Sequence, residues 1–186
     1  MICEVSVYAL GTTETSPVPP EALRFDHDLV LLNFNTEQAN KVLNAADRIR
    51  EIVGTQAFKD AVINHTYNGK KTFANNNGLS NLQIYDRLIN GAEQLYPEKN
   101  FKMDVELELY YEDSNTVGYT YPNTTHIWMN LKFFNNYGAP QVAGNLMHEW
   151  LHKLGFGHDV ASTAQRPYSV PYAIGYIVRN LAQNSN

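Results

Sequence analysis

The chain carries one cysteine, Cys3, in 186 residues, so it can form no internal disulfide, and its fold must be held by burial or by a bound metal. It lacks any apolar run approaching the roughly 18 residues that a membrane-crossing helix needs. It also lacks a basic block: 14 Lys and Arg stand against 19 Asp and Glu, a net charge of −5 spread along the chain. That balance argues against a nucleic-acid partner. No positive leading region precedes the mildly apolar residues 2–10, which contain Glu4 and alternate as a strand does, so this stretch reads poorly as a signal peptide. No methionine follows Met147. What remains is 44% hydrophobic and 18% charged, the composition of one globular domain over residues 1–186 with a sizeable core. Two sequons, at Asn64 and Asn123, matter only in a eukaryotic secretory setting.

Residues 11–20 hold three prolines and read as an extended arm. Residues 28–35 form a near-continuous apolar run, which predicts a strand buried on both faces. Thr36 then reads as a helix N-cap, and Ala39, Val42, Leu43, Ala46, Ile49 and Val53 recur at three and four, predicting an amphipathic helix that ends near Gly54. A shorter helix is expected over residues 56–64 and a surface loop over 67–81. Ser80 can cap a helix carrying Leu82, Tyr85, Leu88, Ile89, Ala92 and Leu95 that Pro97 stops. From Met103 the period becomes two, with Val105, Leu107 and Leu109 facing inward and Asp104, Glu106 and Glu108 facing water. Residues 117–121 and 126–130 are expected to pair antiparallel across Pro122-Asn123. A helix over about residues 140–154, a loop to Pro171 and a final helix bearing Ile174, Ile177, Val178 and Leu181 complete an α+β unit with a mixed sheet.

The informative passage is His148-Glu149-Trp150-Leu151-His152-Lys153-Leu154-Gly155-Phe156-Gly157-His158-Asp159. Residues four apart on a helix share a face, about 6 Å apart, so His148 and His152 can close on one ion. Val142, Leu146, Met147, Trp150, Leu151 and Leu154 supply the core side, leaving Asn145, His148, Glu149 and His152 to line a cleft. Gly155 can take the left-handed conformation that ends a helix and turns the chain, bringing His158 back toward the other two. Three neutral histidines suit Zn²⁺ and leave its fourth tetrahedral position for water, the pattern of a catalytic rather than a closed structural site. Glu149, one residue after the first ligand, is placed to take a proton from that water and pass it to a leaving amine.

The series His148-Glu149-x-x-His152-x-x-Gly155-x-x-His158-Asp159 resembles the extended zinc motif of the metzincin metallopeptidases, and the Asp after the third His resembles the adamalysin branch. The resemblance is tight over twelve residues and loose elsewhere. It implies one catalytic Zn²⁺ on His148, His152 and His158, a general base at Glu149, supporting roles for Gly155 and Asp159, and zinc-dependent endopeptidase activity. It further implies a helix-packed mixed sheet to about residue 155 and a short C-terminal subdomain over 156–186. An extended peptide or protein substrate would pair with an edge strand, for which residues 117–121 are the expected segment. A pocket beside the metal would be walled by residues 160–171 and narrowed by Tyr168. Metzincins place a methionine turn beneath the metal, and here Tyr168-Ser169-Val170-Pro171-Tyr172 is the nearest counterpart, with Tyr172 a candidate auxiliary group at the metal. The absent methionine motivates a second expectation, a degenerate relative that uses the cleft as a zinc-dependent binding module.

Weaker candidates surround this one. Asp26-His27-Asp28 reads as a solvated turn before a cation site, and His65 and His126 read as structural or surface groups. Asp104, Glu106 and Glu108 read as the wet face of a strand before a calcium site, and Cys3 has no surrounding latency motif. The resemblance makes an extracellular or periplasmic setting the expectation. A monomer is compatible with the sequence.

Overall fold

The computed structural model describes residues 25–184. The alternating stretch 2–10, the proline-rich arm 11–20 and Cys3 lie outside the described residues.

Strand β1 (Asp26–Leu32) leads into α1 (Thr36–Val53) and α2 (Gln56–Ile63), then a long loop and α3 (Asn81–Asn90). Strands β2 (Lys102–Tyr110), β3 (Gly118–Thr120) and β4 (His126–Asn130) follow, then the short α4 (Leu131–Phe134), α5 (Ala139–Lys153), a 3-10 turn (Arg166–Tyr168) and α6 (Val170–Asn184). The four strands form one mixed sheet in the order β1-β2-β4-β3. β1, β2 and β4 run parallel, and β3 pairs antiparallel with β4 at the edge. The molecule is α+β, as expected, and the hairpin of residues 117–130 forms with the expected sense.

The strongest two-residue period gives the most regular strand: β2 alternates half-buried and buried along its whole length, with Met103, Val105, Leu107 and Leu109 inward. Residues 28–35 depart from the expectation of a strand buried on both faces. β1 is covered on one face only, and Val30 and Leu32 stand 52% and 38% exposed. Helices α1 and α5 pack together beneath the sheet while no element among the described residues covers its other face, so the apolar run reflects strand propensity rather than two-sided burial.

Two helix boundaries also differ. The N-cap of α1 is Asn35 and not Thr36, because Asn35 Oδ1 accepts from the Gln38 amide at 2.9 Å while Gln38 Oε1 accepts from the Asn35 amide at 3.0 Å. Along the helix Leu43 faces solvent, at 39% exposure, and Ala45 and Ile52 take core positions. Helix α3 ends at Asn90 rather than at Pro97. Gly91 adopts φ +63°, and a Cβ there would stand 2.3 Å from the Lys102 carbonyl oxygen, so only glycine allows the chain to turn against the start of β2. Leu95, expected on that helix, lies at 43% exposure.

Helix α5 runs through the centre of the fold. Leu146, Met147, Trp150, Leu151 and Leu154 are fully buried, and Trp150 Nε1 donates to Glu93 Oε1 at 2.7 Å. On the opposite side α6 crosses α5 at two glycines: a Cβ on Gly175 would stand 2.8 Å from the Gly144 carbonyl oxygen, and one on Gly144 would meet the Gly175 carbonyl at the same distance. This close approach fixes the position of the α6 residues at the cleft.

Candidate metal centre

Helix α5 presents His148 and His152 one turn apart, as their spacing predicts. Its end is set by Gly155 at φ +87°, whose amide donates to the His152 carbonyl, and the chain then doubles back with Phe156 N donating to the Leu151 carbonyl. That reversal delivers His158. The three ring centroids lie 5.0 Å (His148 to His152), 5.1 Å (His148 to His158) and 4.9 Å (His152 to His158) apart. One nitrogen from each ring falls within 4.8 Å of the others, so the triad is positioned to hold a metal ion.

The opposite ring nitrogens are occupied. His152 Nδ1 donates to the Phe156 carbonyl at 2.7 Å and His158 Nδ1 to the Asp159 carbonyl at 2.9 Å, while the Pro171 backbone is the hydrogen-bond partner of His148. A carbonyl oxygen only accepts, so each ring carries its proton on the outward nitrogen and turns a lone pair inward. Protonation of the rings is disfavoured. Burial, then the mutual proximity of His152 and His158, holds His148 well below its ordinary value; burial brings His152 down to about 4 and also lowers His158. Neutral, oriented imidazoles are the donor set that a divalent ion requires. Among the described residues these three form the one such cluster.

Glu149 lies beside the triad on the cleft floor, at 4% exposure. Burial pushes its carboxyl up to about 8, against the opposing pull of a hydrogen bond from Asn145 and of the Lys153 ammonium. Asn145 is one turn earlier on α5 and is crowded from above by Gly118 of β3, where a Cβ would stand 3.3 Å from the Asn145 amide. Lys153 points the other way and ties α5 to the β3–β4 turn through the carbonyls of Thr124, His126 at 2.9 Å and Tyr121 at 3.2 Å.

The cleft has a volume of about 870 Å³. Val117, Gly118, Tyr119 and Thr120 form one border, so the expected edge strand lies along it. The opposite wall differs from expectation at Tyr168, which packs against Tyr67 at 5.2 Å between centroids instead of lining the cleft. Its carbonyl accepts from the Ala74 amide, which draws the 3-10 turn toward the 67–80 loop. Val160, Arg166 and Tyr172 supply that wall. The Tyr172 ring lies 4.4 Å from that of His148 and 4.8 Å from that of His158. Val170 is fully buried and Pro171 is buried beside His148, so apolar side chains form this turn.

Asp159 acts as a brace. Its carboxylate accepts from Thr163 Oγ1 at 2.5 Å and Gln165 Nε2 at 2.8 Å, and these bonds hold its pKa below the ordinary carboxylate value. Asn77 Nδ2 donates to the Gly155 carbonyl at 2.8 Å and supports the turn from the other side.

The weaker candidates do not join the site. His27 pairs with Asp47 at 3.3 Å and Asp26 with Arg50 at 3.8 Å. His65 stacks on Phe73 at 4.1 Å, and His126 sits on the open sheet face between Glu106 at 3.3 Å and Glu108 at 2.9 Å. Sequence reasoning missed Arg166 and Arg179, both of which line the cleft. One signal was present: they are the only Lys or Arg residues after Lys153.

No protein-family model matches the chain, and no curated protein matches it. The site therefore stands on its own geometry, three histidines positioned to hold a metal ion with a buried carboxylate beside them.

Proposed function

We propose that this chain is a zinc-dependent endopeptidase of the metzincin type. The observation that carries the reading is the coincidence, in one cleft, of three inward lone pairs within 4.8 Å of one another with a carboxylate on the adjacent residue of the same helix. Among the described residues the donor set is all nitrogen, with no cysteine or fourth histidine beside it, which fits zinc with an open coordination position. A bound zinc supplies a Lewis acid and brings the pKa of water it holds down to about 7.

The chain's own residues do the rest. His148, His152 and His158 hold the ion. An extended peptide lies against the free edge of β3, with backbone hydrogen bonds aligning the scissile carbonyl over the triad. Glu149 accepts the proton of the attacking water on its carboxylate and delivers it to the amine nitrogen as the peptide C–N bond breaks. Burial raises the basicity of this carboxylate above that of an exposed one, which favours its taking a proton. Tyr172, at the rim of the triad, is placed to donate from its phenol to the carbonyl oxygen as it gains charge.

The test is Glu149→Ala with zinc content and casein hydrolysis measured together. The variant is expected to keep one zinc per chain and to lose about 10²- to 10⁴-fold in hydrolysis rate. Hydrolysis at the parent rate contradicts the role of Glu149. Zinc uptake by the parent with no cleavage of any protein or peptide library assigns the cleft to a zinc-dependent binding module instead.

A further inference from the structure

The cleft carries a charge pattern that the histidine centre does not explain. The chain has five more acidic than basic residues, yet among the described residues lining the cleft Glu149 is the one carboxylate, and Arg166 and Arg179 both line it. Neither arginine takes part in any ion pair among the described residues. The Nε of each is buried and has no hydrogen-bond partner.

The two guanidinium groups differ in what holds them. Arg166 is committed to the wall: it donates to the Val160 carbonyl at 3.3 Å and to the Tyr172 phenol, and it lies 4.9 Å above the Tyr172 ring. Among the described residues the Arg179 guanidinium has an aromatic neighbour, the Tyr176 ring at 5.1 Å, and no ion-pair partner. Its stem packs at the α5–α6 crossing, where a Cβ on Gly144 would stand 2.9 Å from Arg179 Cβ. A guanidinium is always charged and carries five donors in a fixed fork, so one left partly desolvated and unpaired is costly unless an anion completes it.

We propose that Arg179 is a specificity-determining residue that takes a carboxylate of the bound substrate, with Arg166 adding to the same positive field. The inference rests on the peptidase reading of the cleft. Gly144 precedes His148 by four residues, about 6 Å along the helix at 1.5 Å per residue. The Arg179 side chain is therefore rooted about one helical turn from the triad and lines the same cleft. A carboxylate matches the guanidinium fork with two parallel hydrogen bonds. It can come from an Asp or Glu side chain or from the C-terminus of the peptide, and the recognition chemistry is the same.

The test uses the zinc-loaded full chain carrying Glu149→Ala, so that binding is read without turnover. Fluorescein-labelled peptide pools differing only by Glu against Gln, each with a free or an amidated C-terminus, are titrated by fluorescence anisotropy. A carboxylate is expected to tighten binding about tenfold over its amide, in a manner that weakens as salt is raised. A preference that follows Glu identifies a side-chain carboxylate, and one that follows the free terminus identifies the C-terminal one. Adding Arg179→Gln is expected to reduce either preference to below about twofold at unchanged zinc content, and Arg179→Lys to retain part of it. The salt dependence in protein with Arg179 intact tests the idea even if Arg179→Gln fails to fold. Equal binding of all pools, or a preference that survives Arg179→Gln, overturns the inference. The parent cleaving neutral peptides as fast as acidic ones also overturns it while leaving the peptidase reading standing. Zinc uptake with no peptide bound or cleaved removes both.

Discussion

At the scale of single residues, the site depends on groups that orient others. Each histidine is fixed by a backbone carbonyl, and Glu149 is held by Asn145 one turn earlier. The Asn145 bond lowers the Glu149 pKa against the rise that burial imposes. Asn145→Ala removes it, so the carboxyl should titrate higher, and the acid limb of the kcat profile should move to higher pH. The rate at its optimum should fall about tenfold with zinc content unchanged. An unmoved acid limb would show that Asn145 does not position the base. His148, Glu149, His152, Gly155 and His158 were legible in the sequence because helical period and the glycine reversal dictate their geometry locally. Arg179 was not, because its place in the cleft depends on which helix crosses α5 and how closely.

At the scale of elements, the closeness of that crossing is set by Gly144 and Gly175. A methyl at position 175 would stand 2.8 Å from the Gly144 carbonyl oxygen and 3.3 Å from His148 Cβ. Gly175→Ala must push α6 outward, and α6 carries both Pro171, the partner of His148, and Tyr172. The expected outcome is a loss of about 1 to 3 kcal/mol in stability, seen as a lower melting temperature, together with weaker zinc binding in a chelator competition. Parent-like zinc affinity in a destabilised variant would separate the crossing from the site. The elements were legible wherever periodicity was strong, as in β2 and α5. They were less so where a long-range contact decides. Gly91 ends α3 because the chain must turn against Lys102, and β1 exposes Val30 because no layer among the described residues covers that sheet face. The short α4 at Leu131–Phe134, capped by Asn130, has no sequence period to announce it.

At the scale of the whole molecule, metal and fold are coupled through protons. His152 titrates near 4 in the metal-free fold against an ordinary 6.5, so between those values the unfolded chain binds a proton that the folded chain refuses. Stability of the metal-free protein should therefore fall as pH drops through that window, and the same protons compete with zinc for the ring nitrogens. If zinc binds the folded state as proposed, at about 1,000 times its Kd it should add roughly 4 kcal/mol, and a chelator should lower the melting temperature by the same linkage. Calorimetric melts from pH 7 to pH 4, with and without zinc, should show the zinc-dependent increment shrinking as pH falls. An increment that persists at pH 4 would mean that the metal is not held by these histidines.

The central claim is that three histidines hold one zinc and leave a position free for chemistry. X-ray absorption at the zinc edge of the loaded protein tests it most directly. The account predicts a four-coordinate ion with three imidazole nitrogens at about 2.0 to 2.1 Å and one further light donor that a small anion displaces. A fourth ligand from the protein, or a fit with fewer than three imidazoles, would contradict it.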